Sequence, residues 1–367
     1  MKKVFIILVA IGVLLVSCKT KKIPVGTSTN SPNVYVAGYI EIQEEEDVEA
    51  LYTSVFTGRD TMVVIRGKSQ YYATIWKNGV KQILSDGTNH ARALSVFVSG
   101  DDVYVTGYDG NVATVWKNGV QQNLTDGTYQ ARAHSVYVSN SDVYIAGCYE
   151  DIDNVVAKIW KNGEVFNLSD GTLFARAYSV FATDFDVYVA GQDRFGKLWK
   201  NSIGQNLDGI PFSVFVSEND VYLAGNGSNR FEFEDRFFIL PYALLWKNGV
   251  AQRLTDHDIS RRSFSNREEI FDLEISSAKS VFVADNDVYV LGSIGKLGSN
   301  ENSDIILWKN GVAQKLTKGF HGDGSVFVHN NNVYVTIGQE FFINGVAQKL
   351  DIDQATRSFE VLSVFVK

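Results

Sequence analysis

Residues 114–147 read "TVWKNGVQQNLTDGTYQARAHSVYVSNSDVYIAG". The same phrases return as "TIWKNGVKQILSDGTNHARALSVFV" from Thr74 and "KIWKNGEVFNLSDGTLFARAYSVF" from Lys158. Four short segments rich in Val, Tyr, Phe and Ile recur in fixed order, and no long helical period competes with them. The first begins at Ser95, Ser135, Ser179, Ser213, Ser280, Ser325 and Ser363, with Ser54 as a further match. The second begins at Asn33, Asp102, Asp142, Asp186, Asp220, Asp287 and Asn332, with 61–67 as a degenerate copy. The third ends at Trp76, Trp116, Trp160, Trp199, Trp246 and Trp308, and the fourth is of the "VQQNL" type.

The joints between these segments are turn chemistry. Asn-Gly between two apolar runs marks a two-residue hairpin, because both central residues of a type I′ turn need positive φ. It stands at 78–79, 118–119, 162–163, 248–249, 310–311 and 344–345. Segments one and two are separated by "SGDD", "SNSD", "TDFD", "SEND", "ADND" and "HNNN", turn residues throughout. Each unit is therefore a four-stranded antiparallel meander of about forty residues, which must stack on its neighbours to bury both faces. The expected fold is an all-β β-propeller. A last strand at 363–367, paired with a second strand from Asn33, would close the ring and leave no open edge. First strands number eight if 54–67 is a strand pair, and the expectation is eight blades with a short split closing blade (363–367 with 33–52). The hairpins, with Phe342-Ile343 in place of Trp-Lys in the last, number seven, which is the alternative.

The layout resembles kelch-type propellers, which also run a tyrosine-containing second strand into a tryptophan-marked outer hairpin. The resemblance implies the ring alone. Kelch repeats carry a double glycine after strand two, whereas here there is one, as at Gly107 or Gly191, and Trp116 precedes its turn rather than following it. The WD-type signature is absent.

The N-terminus gives an address. Lys2 and Lys3 precede an apolar run from Val4 to Val16, too short for an ordinary membrane span. Leu15-Val16-Ser17-Cys18 resembles a bacterial lipobox. That resemblance implies cleavage after residue 17 and acylation of Cys18 with palmitate-type chains, enough of them for stable anchoring. Lys19, where an Asp would signal inner-membrane retention, implies the outer membrane, on its periplasmic side or at the cell surface. Residues 18–32 are a lipidated polar tether, and 33–367 form a single propeller domain. A net charge of −8 without a basic block excludes nucleic acid as a natural partner. Two cysteines rule out a disulfide framework.

Antiparallel order places the 1–2 and 3–4 turns on one face of the disc, here the turn face. The 2–3 loops and inter-blade connections fall on the other, the loop face, which holds nearly all the sequence variety, including the insertions 226–242 and 255–279. Loops on a rigid scaffold are where binding resides. Three connections share Asp-Gly-Thr-x-x-Ala-Arg, with Asp86 and Arg92, Asp126 and Arg132, Asp170 and Arg176. The arginines form either a row for a carboxylate or sulfate or, with the aspartates, a stitch repeated with the scaffold. Tyr129, Phe174 and His90 vary beside them and offer stacking surface for a sugar or peptide.

Catalytic signals are thin. The "SDGT" phrase lacks the Trp of a sialidase Asp-box, and His90, His134, His257, His321 and His329 show no metal-ligand spacing, most reading as solvated loop or turn residues. No catalytic residue, metal or cofactor is assigned, and Cys148 reads as a packed free thiol. The expected function is a non-enzymatic envelope lipoprotein, membrane-bound through its lipid, whose loop face binds a protein or glycan. The alternatives are a polysaccharide-acting hydrolase or lyase using carboxylates from 226–279, and an envelope-assembly scaffold.

Overall fold

Asn118 at φ 53° and Gly119 at 81° form the left-handed pair that a type I′ turn requires, and the other five Asn-Gly sites match them. A seventh such hairpin uses Asn201 and Ser202, at φ 49° and 66°. The computed structural model describes residues 31–367 except 44–47, 54–59, 66–67, 152, 257–265, 298–302 and 320–321, with 48–53 and 60–65 described by backbone alone. The signal peptide, Cys18 and the tether as far as residue 30 lie outside the described residues.

The hairpins belong to seven four-stranded antiparallel sheets among the described residues, each a propeller blade. Six follow one another along the chain at 91–123, 130–167, 175–207, 210–253, 274–319 and 324–348. The seventh, the closing blade, joins the last strand to the first part of the chain in the order Thr356–Val366, Val34–Gln43, Ser69–Lys77, Val80–Ile83. Among the described residues there are seven blades and no eighth, contrary to expectation. Val34–Gln43 pairs directly with Ser69–Lys77, from Tyr35↔Lys77 to Gln43↔Ser69, so the segment between them is an excursion within one hairpin. In it, among the described residues, Val48–Thr53 pairs only with Asp60–Ile65, as a separate two-stranded ribbon. The Ser54-Val-Phe phrase that suggested another first strand falls outside the described residues. Two strands cannot make a four-stranded blade, and the closing blade has no position left to fill.

Within each blade the repeated letters have repeated jobs. In the blade at 91–123, Asn118 Oδ1 accepts from the Val103 backbone N–H at 2.8 Å, and its Nδ2 donates to Asp102 Oδ1 at 2.8 Å. Lys117 Nζ meets the other oxygen of Asp102 at 2.7 Å and lies over the Tyr104 ring at 5.2 Å. This staple fastens the 1–2 turn to the 3–4 turn and recurs around Asp142, Asp186, Asp220 and Asp287. It accounts for the pairing of the Asp-Val-Tyr and Trp-Lys-Asn-Gly phrases. The tryptophans are fully buried between blades, and Trp160 shares a cluster with Tyr104 and Val115 of the blade before it. Outermost strands such as Val120–Asn123 are exposed throughout and only four residues long, which limits edge pairing with other chains.

Two closed circuits run around the axis. In the first, each serine that opens a first strand accepts a hydrogen bond from a backbone N–H of the next blade. Ser95 takes Val136, Ser135 takes Val180, Ser179 takes Val214 and Ser213 takes Val281. Ser280 takes Val326, Ser325 takes Val364 and Ser363 returns to Val96. The second circuit is an aromatic collar of Phe97, Tyr137, Phe181, Phe215, Phe282, Phe327 and Phe365. Adjacent ring centroids lie 4.3–5.0 Å apart, and Phe365 meets Phe97 at 4.7 Å to complete the circle. The interplanar angles scatter about one-seventh of a full turn, with 52° between Phe97 and Tyr137 and 50° between Phe327 and Phe365. The sevenfold count is thus written in the core itself.

Candidate functional site

The first strand of each blade enters from the loop face and ends at the 1–2 turn, so position along it is depth along the axis. The aromatic collar sits three residues after the bulged position described next, about 10 Å deeper at strand rise. The residue before the serine has no pairing partner in six blades. Ala93 pairs with Gly107 and Ser95 with Thr106, which leaves Leu94 between them as a β-bulge. The same skip frees His134, Tyr178, Phe212, Lys279 and Leu362. A bulge re-aims its extra side chain, and these line a cavity of about 360 Å³ on the axis, with Arg176, Asp323 and Gly324.

Glycine makes the bulge possible. A Cβ on Gly147 would fall 2.0 Å from the Arg132 carbonyl oxygen and 3.0 Å from the Trp160 ring. In the blade at 324–348 no residue is skipped, since Gly324 pairs with Ile337 and Ser325 with Thr336. Ile337 stands where the other blades have glycine, and Asp323, just before the strand, supplies the side chain there.

The scaffold positions repeat while the axial position changes in every blade but two. Around the ring stand Leu362, Leu94, His134, Tyr178, Phe212, Lys279 and Asp323. His134 and Tyr178 have ring centroids 5.8 Å apart, and Tyr178 and Phe212 5.4 Å. Lys279 Nζ lies 4.8 Å from the Phe212 centroid and 3.2 Å from Asp323 Oδ1. His134 Nδ1 is 2.8 Å from the Ala177 carbonyl oxygen. A carbonyl can only accept, so Nδ1 carries the proton and the neutral ring keeps a lone pair on Nε2. Loss of hydration in the cavity wall pushes the His134 pKa down to about 4, and the nearby Arg176 and Arg132 charges add to this against the Ala177 bond. Burial likewise pushes the Tyr178 hydroxyl up to about 12.

Of the sequence-predicted residues, only Arg176 reaches this cavity. It pairs with Glu150 of the preceding blade at 2.5 Å and lies 4.6 Å from the Phe174 ring centroid. Arg92 rests on Tyr39 and Tyr71 at 4.1 and 4.9 Å, and Arg132 on Tyr108 at 4.2 Å. Each arginine leans back on the blade before it, and the three do not converge. The aspartates of the shared phrase hold their own turns. Asp86 accepts from the Thr88 backbone N–H at 2.9 Å, and Asp126 and Asp170 do the same for Thr128 and Thr172. These bonds hold their carboxyls below the usual carboxylate range. His90 Nδ1 accepts from the Tyr71 N–H at 3.2 Å, and Tyr129 leans on Tyr149 at 5.1 Å. Cys148 is a buried free thiol whose Sγ is 3.5 Å from Glu150 Oε1.

His134 departs from the expectation of solvated histidines, because it lies within the strand Gln130–Ser139 rather than in a loop. The insertion 226–242 extends a hairpin, Asp220–Phe233 with Arg236–Lys247, beyond the disc. Leu240 packs there with Ile270 and Leu273 beside the short helix Arg267–Phe271, which sequence reading did not foresee. Of its acidic residues, Glu234 pairs with Arg267 at 2.9 Å and Asp272 with Lys296 at 2.8 Å. Among the described residues, no group of three or more His, Cys, Asp or Glu is placed to hold a metal ion.

No family model matches the sequence, and no curated protein matches it. Solved structures resemble it in architecture. The WD40 β-propeller domain of Doa1 is 13% identical, with 82% of this chain and 93% of that one covered and a TM-score of 0.42. The dihydro-heme d1 dehydrogenase NirN is 11% identical, covering 89% and 73% at 0.42. AztD from Citrobacter koseri is 8% identical, covering 90% and 99% at 0.34. By its own strand topology, with seven four-stranded blades among the described residues, the chain is a β-propeller.

Proposed function

We propose that this chain is a lipid-anchored protein of the cell envelope that binds a protein or glycan through its loop face. One observation carries the reading. In a scaffold that repeats its turns, staples and tryptophans, the axial position opening toward the loop face is where side-chain chemistry changes from blade to blade. Repetition builds the ring, and variation supplies recognition. The lipobox-like end at Cys18, followed by Lys19, supports acylation and an outer-membrane address. Metabolic labelling with a fatty-acid analogue should mark the wild type and not Cys18→Ala. Equal labelling of both removes the anchor. Tagged full-length protein should retain an envelope glycan or protein, and lose it when Tyr178 and Phe212 become alanine. Changing Lys117 and Lys161 on the turn face should leave retention intact. Retention that depends on the turn face instead overturns the reading.

A further inference from the structure

Resting on the loop-face reading, we infer that the axial cavity is a binding site for an uncharged saccharide, one or two pyranose rings in size. The argument begins with the order of residues around the ring. Leu362 and Leu94 come from adjacent blades and, by blade order, lie across the axis from Tyr178 and Phe212. The cavity therefore has two opposed apolar walls, one aliphatic and one aromatic. His134 lies on one flank between these walls, and the Lys279–Asp323 pair lies on the other. A flat ligand seated between the walls meets polar groups only at its rim. A pyranose with equatorial hydroxyls has this form, with C–H faces above and below and hydroxyls around the edge. The aromatic wall takes a C–H face, as it would any apolar surface.

Charge decides between sugars and other flat ligands. Lys279 is paired with Asp323, Arg176 is paired with Glu150, and His134 is neutral at physiological pH. The site offers donors and acceptors and carries no net charge. An anionic ligand meets Asp323 as well as Lys279, and a cationic one meets Arg176 and Lys279, so neither gains what a neutral polyol does. Hydroxyls are donors and acceptors at once. They can accept from Lys279, donate to Asp323 and donate to the Nε2 lone pair of His134, to which no hydrogen bond runs among the described residues. The cavity volume of about 360 Å³ is at the small end for ligand sites. The aromatic collar, a closed circuit from Phe97 round to Phe365, rings the axis on the far side of the site. The occupant is accordingly a free mono- or disaccharide, or the end of a glycan entering from the loop face.

The test is calorimetric titration of the full-length protein in detergent. The neutral probes are methyl β-glucoside, methyl β-galactoside, N-acetylglucosamine, cellobiose and chitobiose, and the charged comparators are glucuronate, glucosamine and glycylglycine. At least one neutral probe should bind, and each comparator should bind more weakly. Phe212→Ala should weaken binding about tenfold, the loss of one aromatic contact, and Leu94→Trp should block it by filling the cavity. Because Leu94→Trp is bulky, Asp323→Asn serves as a gentler variant and should weaken binding several-fold with the melting curve unchanged. Val120→Thr, on an outermost strand, should change nothing. Binding by no neutral probe, tighter binding of a charged comparator, or binding indifferent to Phe212→Ala and Asp323→Asn each overturns the inference. If saccharides fail while loop-face retention of an envelope partner persists, the inference falls alone. If retention fails while a saccharide binds, the wider reading falls.

Discussion

Removing residues 363–367 should unfold the propeller, and the magnitude can be worked from the closing blade. Val364 and Val366 are 4% and 3% exposed, and burying a valine contributes about 1.5–3 kcal/mol. Phe365 occupies one place in the collar, against Phe97 at 4.7 Å and Phe327 at 4.9 Å. Two bonds of the serine circuit go as well, Val96 to Ser363 and Val364 to Ser325, at about 1 kcal/mol each. The ladder from Val34↔Val366 to Ala37↔Ser363 also goes. Together these come to about 8 kcal/mol or more, within the whole net stability of a typical domain at about 5–15 kcal/mol. The truncated chain should lose its cooperative transition in urea by circular dichroism and elute as aggregate, because residues 34–37 become a free edge. Adding a synthetic peptide of residues 356–367 should partly restore the transition. A truncated protein that stays monomeric and melts within about 2 °C of the wild type would refute the reasoning, since such a shift answers to about 1.5 kcal/mol in a domain of this size, far short of the loss worked above.

Three further outcomes are expected. Gly147→Ala should destabilise by about 1–3 kcal/mol through overpacking against the Arg132 carbonyl, whereas Ile337→Gly, at the same position of the bulge-free blade, should cost at least as much by emptying a buried site; denaturant midpoints of both variants check this. The His134 pKa is depressed from 6.5 to about 4, so the unfolded chain takes up a proton below pH 6.5 that the folded chain refuses. That contribution is complete above pH 6.5 and is lost as the pH falls toward 4, by at most about 3 kcal/mol, and melting curves of His134→Phe should be flatter across this window. Changing Arg92, Arg132 and Arg176 together to alanine should lower the melting temperature through about 2 kcal/mol of lost aromatic and ion-pair contact; a variant that keeps its melting temperature but loses its ligand would make those arginines the site.

Local chemistry was readable in the sequence because it is set by neighbours in the chain. Asn118-Gly119 needs positive φ wherever it lies, and Asp86 reaches Thr88 two residues on. Blade count was not local. Ser54-Val-Phe resembles the start of a first strand, and only the pairing of Val34–Gln43 with Ser69–Lys77 shows that the closing blade is complete without another strand pair. The axial site was hidden for a different reason. Leu94, His134, Tyr178, Phe212 and Lys279 read as noise between a small residue and a serine, since a bulge leaves no trace in residue type at the bulged position. Its trace is on the facing strand, in the single glycine after Asp-Val-Tyr. Ile337 in place of that glycine was the one visible sign that a blade differs.

The closing blade also fixes an order of events in folding. Its axial strand, Thr356–Val366, is the latest strand of the ring along the chain, and its partner, Val34–Gln43, is the earliest. Every other blade can assemble from a contiguous stretch as it emerges. The closing blade must wait, with the apolar flank of Val36 and Ile40 uncovered until Thr356–Val366 arrives. Pairing across so long a separation is slow, and an open strand edge held open is a hazard for self-association. The rate at which the ring becomes safe from aggregation is therefore set by the arrival of its closing strand, however quickly the other six blades form.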